Sequence, residues 1–211
     1  MRAASVLFIM VLTAALAAGA ARADVAEISF EGVIDRARGD LPQDIIADQT
    51  RFWGTLTVDT DSIDRRRSPV VGDYRSAVLS THLGVADYEL GGDLLTRALV
   101  HDDVDRVTFV GRPGVPAFDG RTLRRSQLQL TDSTRDLLGG DSLSQLFGLS
   151  LKALDDYRGA VLTLSGRGDS GAFRLSGRIL SMNVSAVPAP GAALLAAAGF
   201  GLVGLVRRRR T

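Results

Sequence analysis

Apolar and polar residues alternate with a period of two through most of the chain between residues 25 and 184. In Val25 to Val33, Ile28 and Phe30 fall on one side and Glu27, Ser29 and Glu31 on the other, the pattern of a half-buried strand. Thr50 to Asp59 carries the same pattern more strongly, with Phe52, Leu56 and Val58 opposite Trp53, Thr55 and Thr57. The lone tryptophan, Trp53, is expected to pack against a neighbouring element. Shorter alternating runs occupy Tyr74 to Ser80, Thr81 to Leu90, Leu94 to Val100, Arg106 to Gly111 and Thr122 to Leu130. Gly91-Gly92 and His101 to Asp105 read as turns, and Arg112 to Pro116 as a break. The last two runs, Ala160 to Ser165 and Ala172 to Val184, form a hairpin around the glycine-rich loop 166–171. One stretch departs from this period: Ser133 to Phe147 predicts a short helical insertion, with Gly139-Gly140 dividing it into one helix or two turns. The fold class expected is all-β, a β-sandwich of jelly-roll-like kind with one short helical insertion.

The two ends of the chain follow a different logic. Met1-Arg2, the apolar run from Val6 to Ala20 and the small residues of Ala21-Arg22-Ala23 make a secretory signal peptide over 1–23, cut before Asp24 by signal peptidase. At the other end no charge occurs from Ala186 to Val206. A transmembrane helix over 191–206 would span about 24 Å, short of the roughly 30 Å hydrocarbon layer. Pro188 and Pro190 prevent that helix from extending backwards, so 187–190 is an extended stem. Arg207, Arg208, Arg209 and Arg210, in the basic cluster 207–211, hold the tail's end on the cytoplasmic side and leave the domain 24–186 outside.

Stem, span and basic cluster together resemble the PEP-CTERM family of bacterial sorting signals, in the variant whose stem reads Val-Pro-Leu-Pro-Ala. Here the stem is Val187, Pro188, Ala189, Pro190 and Gly191; the valine and both prolines match, while Ala189 and Gly191 depart from the pattern. The resemblance covers the tail alone. It implies an exosortase-type processing enzyme as partner, a membrane-anchored precursor, and delivery to the cell surface or extracellular matrix of bacteria that make extracellular polysaccharide. The plainer alternative is an uncut single-pass anchor.

Composition narrows the function further. Removing the targeting segments leaves 19 basic against 24 acidic residues, so a chain of formal charge +1 carries a mildly acidic exported domain. That balance argues against nucleic acid as a partner, and Arg65-Arg66-Arg67 reads as a solvated loop. With no cysteine, thiol catalysis and disulfide frameworks are excluded. No cofactor is expected.

Candidate chemistry is sparse. Gly168-Asp169-Ser170-Gly171 resembles the nucleophile loop of chymotrypsin-like proteases, with His82 and Asp102 earlier in the chain, but Ala172 and Phe173 follow where that family has glycine and proline. Gly140-Asp141-Ser142-Leu143 matches the start of the GDSL esterase motif, yet no histidine follows His101 to act as base. Arg167-Gly168-Asp169 is an integrin-type tripeptide by coincidence. Asp59, Asp61 and Asp64 are weak candidates for a calcium site, with Asp102, Asp103 and Asp105 a second group; solvated turns rich in aspartate are the usual explanation of both. Two histidines are too few for zinc. The expected function is therefore a non-enzymatic exported surface protein. Its rivals are a surface hydrolase cutting polysaccharide or esters through carboxylates, and an anchored module that binds sugar or calcium.

Overall fold

In the computed structural model, Ala26 to Ser185 forms one compact unit whose described residues lie mostly in antiparallel strands. The structure describes residues 25–46, 49–66, 68, 70–131, 142–148 and 159–187. The expected signal peptide, the stem beyond Val187, the span 191–206, Arg207 to Arg210 and most of the helical insertion lie outside them.

The strands are β1 (Val25–Gly39), β2 (Arg51–Asp59), β3 (Val71–Arg75), β4 (Val78–Val85), β5 (Tyr88–Leu90), β6 (Arg97–His101), β7 (Arg106–Gly111), β8 (Val115–Pro116), β9 (Thr122–Thr131), β10 (Val161–Arg167) and β11 (Ala172–Val187). All join a single 11-stranded sheet in the order β3-β6-β7-β9-β10-β11-β1-β2-β4-β5, with the short β8 on β9. The alternation read from the sequence is what buries one face. Ile28, Phe30 and Ile34 of β1, Phe52, Leu56 and Val58 of β2, Val107 and Phe109 of β7, Leu128 and Leu130 of β9, and Leu162 and Leu164 of β10 all belong to one core.

The sheet curls until its ends meet. β3 lies at one end of the hydrogen-bonded path and β4 is next to last at the other, yet only Ser76 and Ala77 separate them. Two intervening residues span no more than about 11 Å, so the two ends must be close. Ser76 turns the corner at φ 62°, a left-handed conformation unusual for a residue other than glycine. Its N–H donates to the Thr96 carbonyl at 2.9 Å, while the Asp59 N–H donates to Ala77 at 2.7 Å. The Ser126 hydroxyl on β9 and the Thr81 hydroxyl on β4 donate to the adjacent carbonyls of Leu94 and Leu95. The loop between β5 and β6 thus joins both sides of the seam.

Strand number and boundaries differ from the nine runs read in the sequence. The run expected over Tyr74 to Ser80 is broken by the Ser76 corner, and Arg112 to Pro116 contributes the small strand β8. Bulges change the phase within strands. On β9, Leu123 opposes Gly166 and Arg125 opposes Ser165, which leaves Arg124 as the extra residue. On β4, Val78 opposes Val58 and Ser80 opposes Thr57, so Leu79 is extra and exposed. The 133–147 segment is described only from Ser142, where Leu143–Gly148 is a 3-10 helix whose Leu143 and Leu146 enter the core. A second helical turn, α1 (Gln43–Ile46), places Ile45 there as well.

Trp53 does pack against its neighbours, but on the outer face. It is Gly84's partner across β2 and β4, with its ring over that glycine and 5.0 Å from the His82 ring. Gly32 is the inward counterpart: a Cβ there would strike the Arg178 carbonyl and the Phe52 ring. Gly32→Ala is expected to destabilise the domain by about 1–3 kcal/mol, measured as a lower thermal midpoint than that of Gly91→Ala, where a Cβ meets nothing.

Candidate functional site

The hairpin loop that resembles a protease nucleophile turn is tied down at one end of the sheet. Gly168 N–H donates to the Gly171 carbonyl at 2.8 Å, closing the turn, and Ser170 N–H donates to the Asp40 carboxylate at 3.2 Å. Asp40 follows the end of β1, where Gly39 turns at φ 90°, and it also accepts from Arg121 Nη2 at 2.7 Å. Arg121 is presented by a tight turn in which Asp119 and Gly120 are both left-handed, at φ 47° and 81°. Its hydrogen bond, with that from Ser170, holds the Asp40 carboxyl below the usual carboxylate range. Nearby, Tyr88 donates to Asp119 at 3.0 Å and its ring meets Phe118 edge-on. Burial and that hydrogen bond push the Tyr88 hydroxyl up to about 12. A polar hollow of about 280 Å³ lies among Asp40, Asp119, Arg121, Asp169 and Ser170.

His82 and Asp102 have other neighbours. His82 stands on β4 against Trp53, and Asp102 opens the 3-10 turn after β6, its N–H donating to the Val70 carbonyl at 3.0 Å. Ser142 is exposed and shares a hydrogen bond of 2.8 Å with Ser144, while Gly140 and Asp141 lie outside the described residues. Arg167 ends β10, so the tripeptide 167–169 enters the same tied turn.

The three aspartates weighed for calcium shape a loop. Asp59 accepts from the Asp61 N–H and the Ser62 hydroxyl, each at 3.0 Å. Asp64 Oδ1 accepts from the Arg66 N–H at 2.8 Å and the Asp73 N–H at 2.7 Å. Asp61 is exposed. Among the described residues no group of three or more His, Cys, Asp or Glu side chains is placed to hold a metal ion.

Asp64 leads to the shortest ion pair found among the described residues. Asp73 on β3 is almost fully buried, and Arg97 of β6 donates to it twice, from Nε at 2.5 Å and Nη2 at 2.7 Å. Hydrogen bonding by Arg97 lowers the Asp73 carboxyl against the upward push of burial.

Arg97 also lines a cleft that the order of residues in the chain conceals. Strand register puts Arg97, Val110, Gln127, Thr163 and Ser176 in one outward row across β6, β7, β9, β10 and β11. A second row joins Arg125, Ser165 and Arg174. Over β6, β7 and β9 this face holds a cleft of about 780 Å³ lined by Asp93, Arg97, Leu99, Val110, Arg112 and Arg125. Arg125 donates to Gln127 at 3.4 Å, Gln127 to Gln129 at 3.3 Å and Gln129 to Thr131 at 3.1 Å, an ordered polar ladder beside the cleft. Farther along, His101 lies opposite Arg106; burial and then the Arg106 charge push its imidazole below the usual value. The cationic face was missed because its arginines alternate with core residues on separate strands. The outward places on β9 and β11, at Arg125, Arg174 and Arg178, were its available signal.

Comparison with known protein families, curated proteins and solved structures finds no match.

Because Asp73's carboxyl is lowered in the folded state, its stabilisation is complete above the unfolded value of about 3.9 and is lost as pH falls through the lower folded value. Denaturant unfolding at several pH values checks this: Asp73→Asn is expected to weaken the domain at pH 7 and to lose stability less steeply on acidification. Asp40→Asn is expected to speed amide hydrogen exchange at Ser170 while leaving the amides of β6 and β7 as protected as before.

Proposed function

We propose that this chain is a non-enzymatic protein exported through the general secretory route and delivered to the cell surface or extracellular matrix by its C-terminal tail. In this reading signal peptidase removes 1–23, the segment 191–206 holds the precursor in the inner membrane, and an exosortase-type enzyme acts at the stem Val187 to Gly191. Arg207 to Arg210 set the orientation. The carrying observation is continuity: β11 runs to Val187, the first residue of the stem. The tail therefore leaves from the end of a long strand, and processing there would leave the sheet's interior untouched. As a finer architectural reading, the curled sheet is flattened into a jelly-roll-like sandwich.

A non-catalytic body is supported by the tasks its polar groups already perform. Ser170 caps a turn through its N–H, His82 packs on Trp53, and the Asp59 and Asp64 carboxylates order a loop. The lowered carboxyls of Asp40 and Asp73 are each engaged by an arginine, the pairing expected of a structural contact.

A tagged chain produced in its host, and in the same host without the sortase, tests the proposal by mass and cell fraction. The expected products are a form beginning at Asp24 and shortened near residue 187 in the parent, and a longer membrane-bound form in the deletion strain. Identical full-length protein in the inner membrane of both strains would falsify processing of the tail.

A further inference from the structure

We propose that the cleft over β6, β7 and β9 binds a carboxylated polysaccharide, with Arg112 and Arg125 as its principal anion contacts. The inference rests on the body of the domain and is independent of the tail's role.

Charge and shape supply the first part of the argument. Three arginines line the cleft, and Asp93 is the acidic residue lining it. Arg97 is largely neutralised by Asp73, whose two hydrogen bonds fix the guanidinium at the cleft wall. Arg112 and Arg125 are exposed, so the local balance is positive although the exported domain is acidic as a whole. The cationic side continues along the sheet through Arg174 in Arg125's row and Arg178 in the row containing Gln129 and Val161. One strand, β10, lies between Arg125 and Arg174, so two interstrand steps set them about 10 Å apart. An extended polyanion can engage both, and a guanidinium fork matches a carboxylate in geometry as well as charge.

The remaining outward side chains choose among polyanions. Between the arginines stand Gln127, Gln129, Thr163, Ser165 and Ser176, donors and acceptors suited to hydroxyl groups. The ladder from Arg125 to Thr131 fixes the glutamine amides before a ligand arrives. The phenylalanines of these strands, Phe109 and Phe173, are buried inward. Among the described residues lining the cleft no aromatic ring is present for a nucleobase to stack on, whereas sequence-tolerant binding of single strands relies on such stacking. Hydroxyl groups with regularly spaced carboxylates fit the face better than nucleotides do.

The test uses the full-length chain in mild detergent and calorimetric titration with three probes: oligogalacturonate, dextran of equal length and a single-stranded oligonucleotide. Oligogalacturonate is expected to bind, more weakly as salt rises, with dextran and the oligonucleotide at least about tenfold weaker. Arg112→Ala and Arg125→Ala are each expected to weaken oligogalacturonate binding by about three- to tenfold, and the double variant by more. Arg51→Ala, an exposed residue on β2 beyond β1, removes one charge elsewhere and should change binding less than twofold. Absence of oligogalacturonate binding would overturn the proposal, as would equal binding of dextran or a preference for the oligonucleotide. So would equal losses from Arg51→Ala and the cleft variants. Near-identical thermal midpoints across the variants would assign the losses to the cleft.

Discussion

A wide antiparallel sheet has one apolar face to remove from water and two edges whose unpaired backbone groups invite association. Here both demands meet at the two residues between β3 and β4. The Ser76 corner lets one stretch of chain pair with β6 before the turn and with β2 after it, so the sheet returns upon itself and its inner face becomes a shared interior. With no disulfide available, the arrangement depends on apolar burial and on the ladders of backbone hydrogen bonds between neighbouring strands. The seam is secured by polar contacts from neighbouring loops, including the carbonyls of Leu94, Leu95 and Thr96.

The arginine–aspartate pairs extend this construction. Asp40 with Arg121 fastens the turn after β1 to the β10–β11 hairpin and the turn before β9. Asp73 with Arg97 joins β3 to β6, and the Asp73 N–H in turn reaches Asp64 in the preceding loop. Each joins segments far apart in sequence, Asp40 to Arg121 and Asp73 to Arg97.

Much of the interior was legible from alternation alone. Ile28 and Phe30, Phe52 with Leu56 and Val58, and Leu128 with Leu130 fall on the buried face expected for them. The turn at 101–105 and the hairpin around 166–171 were legible too, because Asp105 adopts the left-handed conformation and Gly168 to Gly171 close a tight loop. Legibility failed where the chain departs from period two. Neither the serine corner nor the bulges at Leu79 and Arg124 carries the glycine or proline that marks a break. The polar clusters were less visible still. Arg121 and Asp40 are far apart in the chain, and local composition does not encode which distant strands become neighbours. The same reason hid the cationic cleft: a net charge summed over the domain averages two unlike surfaces.

The extra residue on β9 has a consequence for how this chain can vary. Along an alternating strand, losing or gaining one residue turns every later side chain inside out. Arg124 already stands outside the pairing count, so a deletion there would bring Leu123 and Arg125 into ordinary succession opposite Gly166 and Ser165. The bulge is consequently a place where length change and side-chain polarity are uncoupled, and natural variation in strand length has a route there that the regular ladder on either side does not offer.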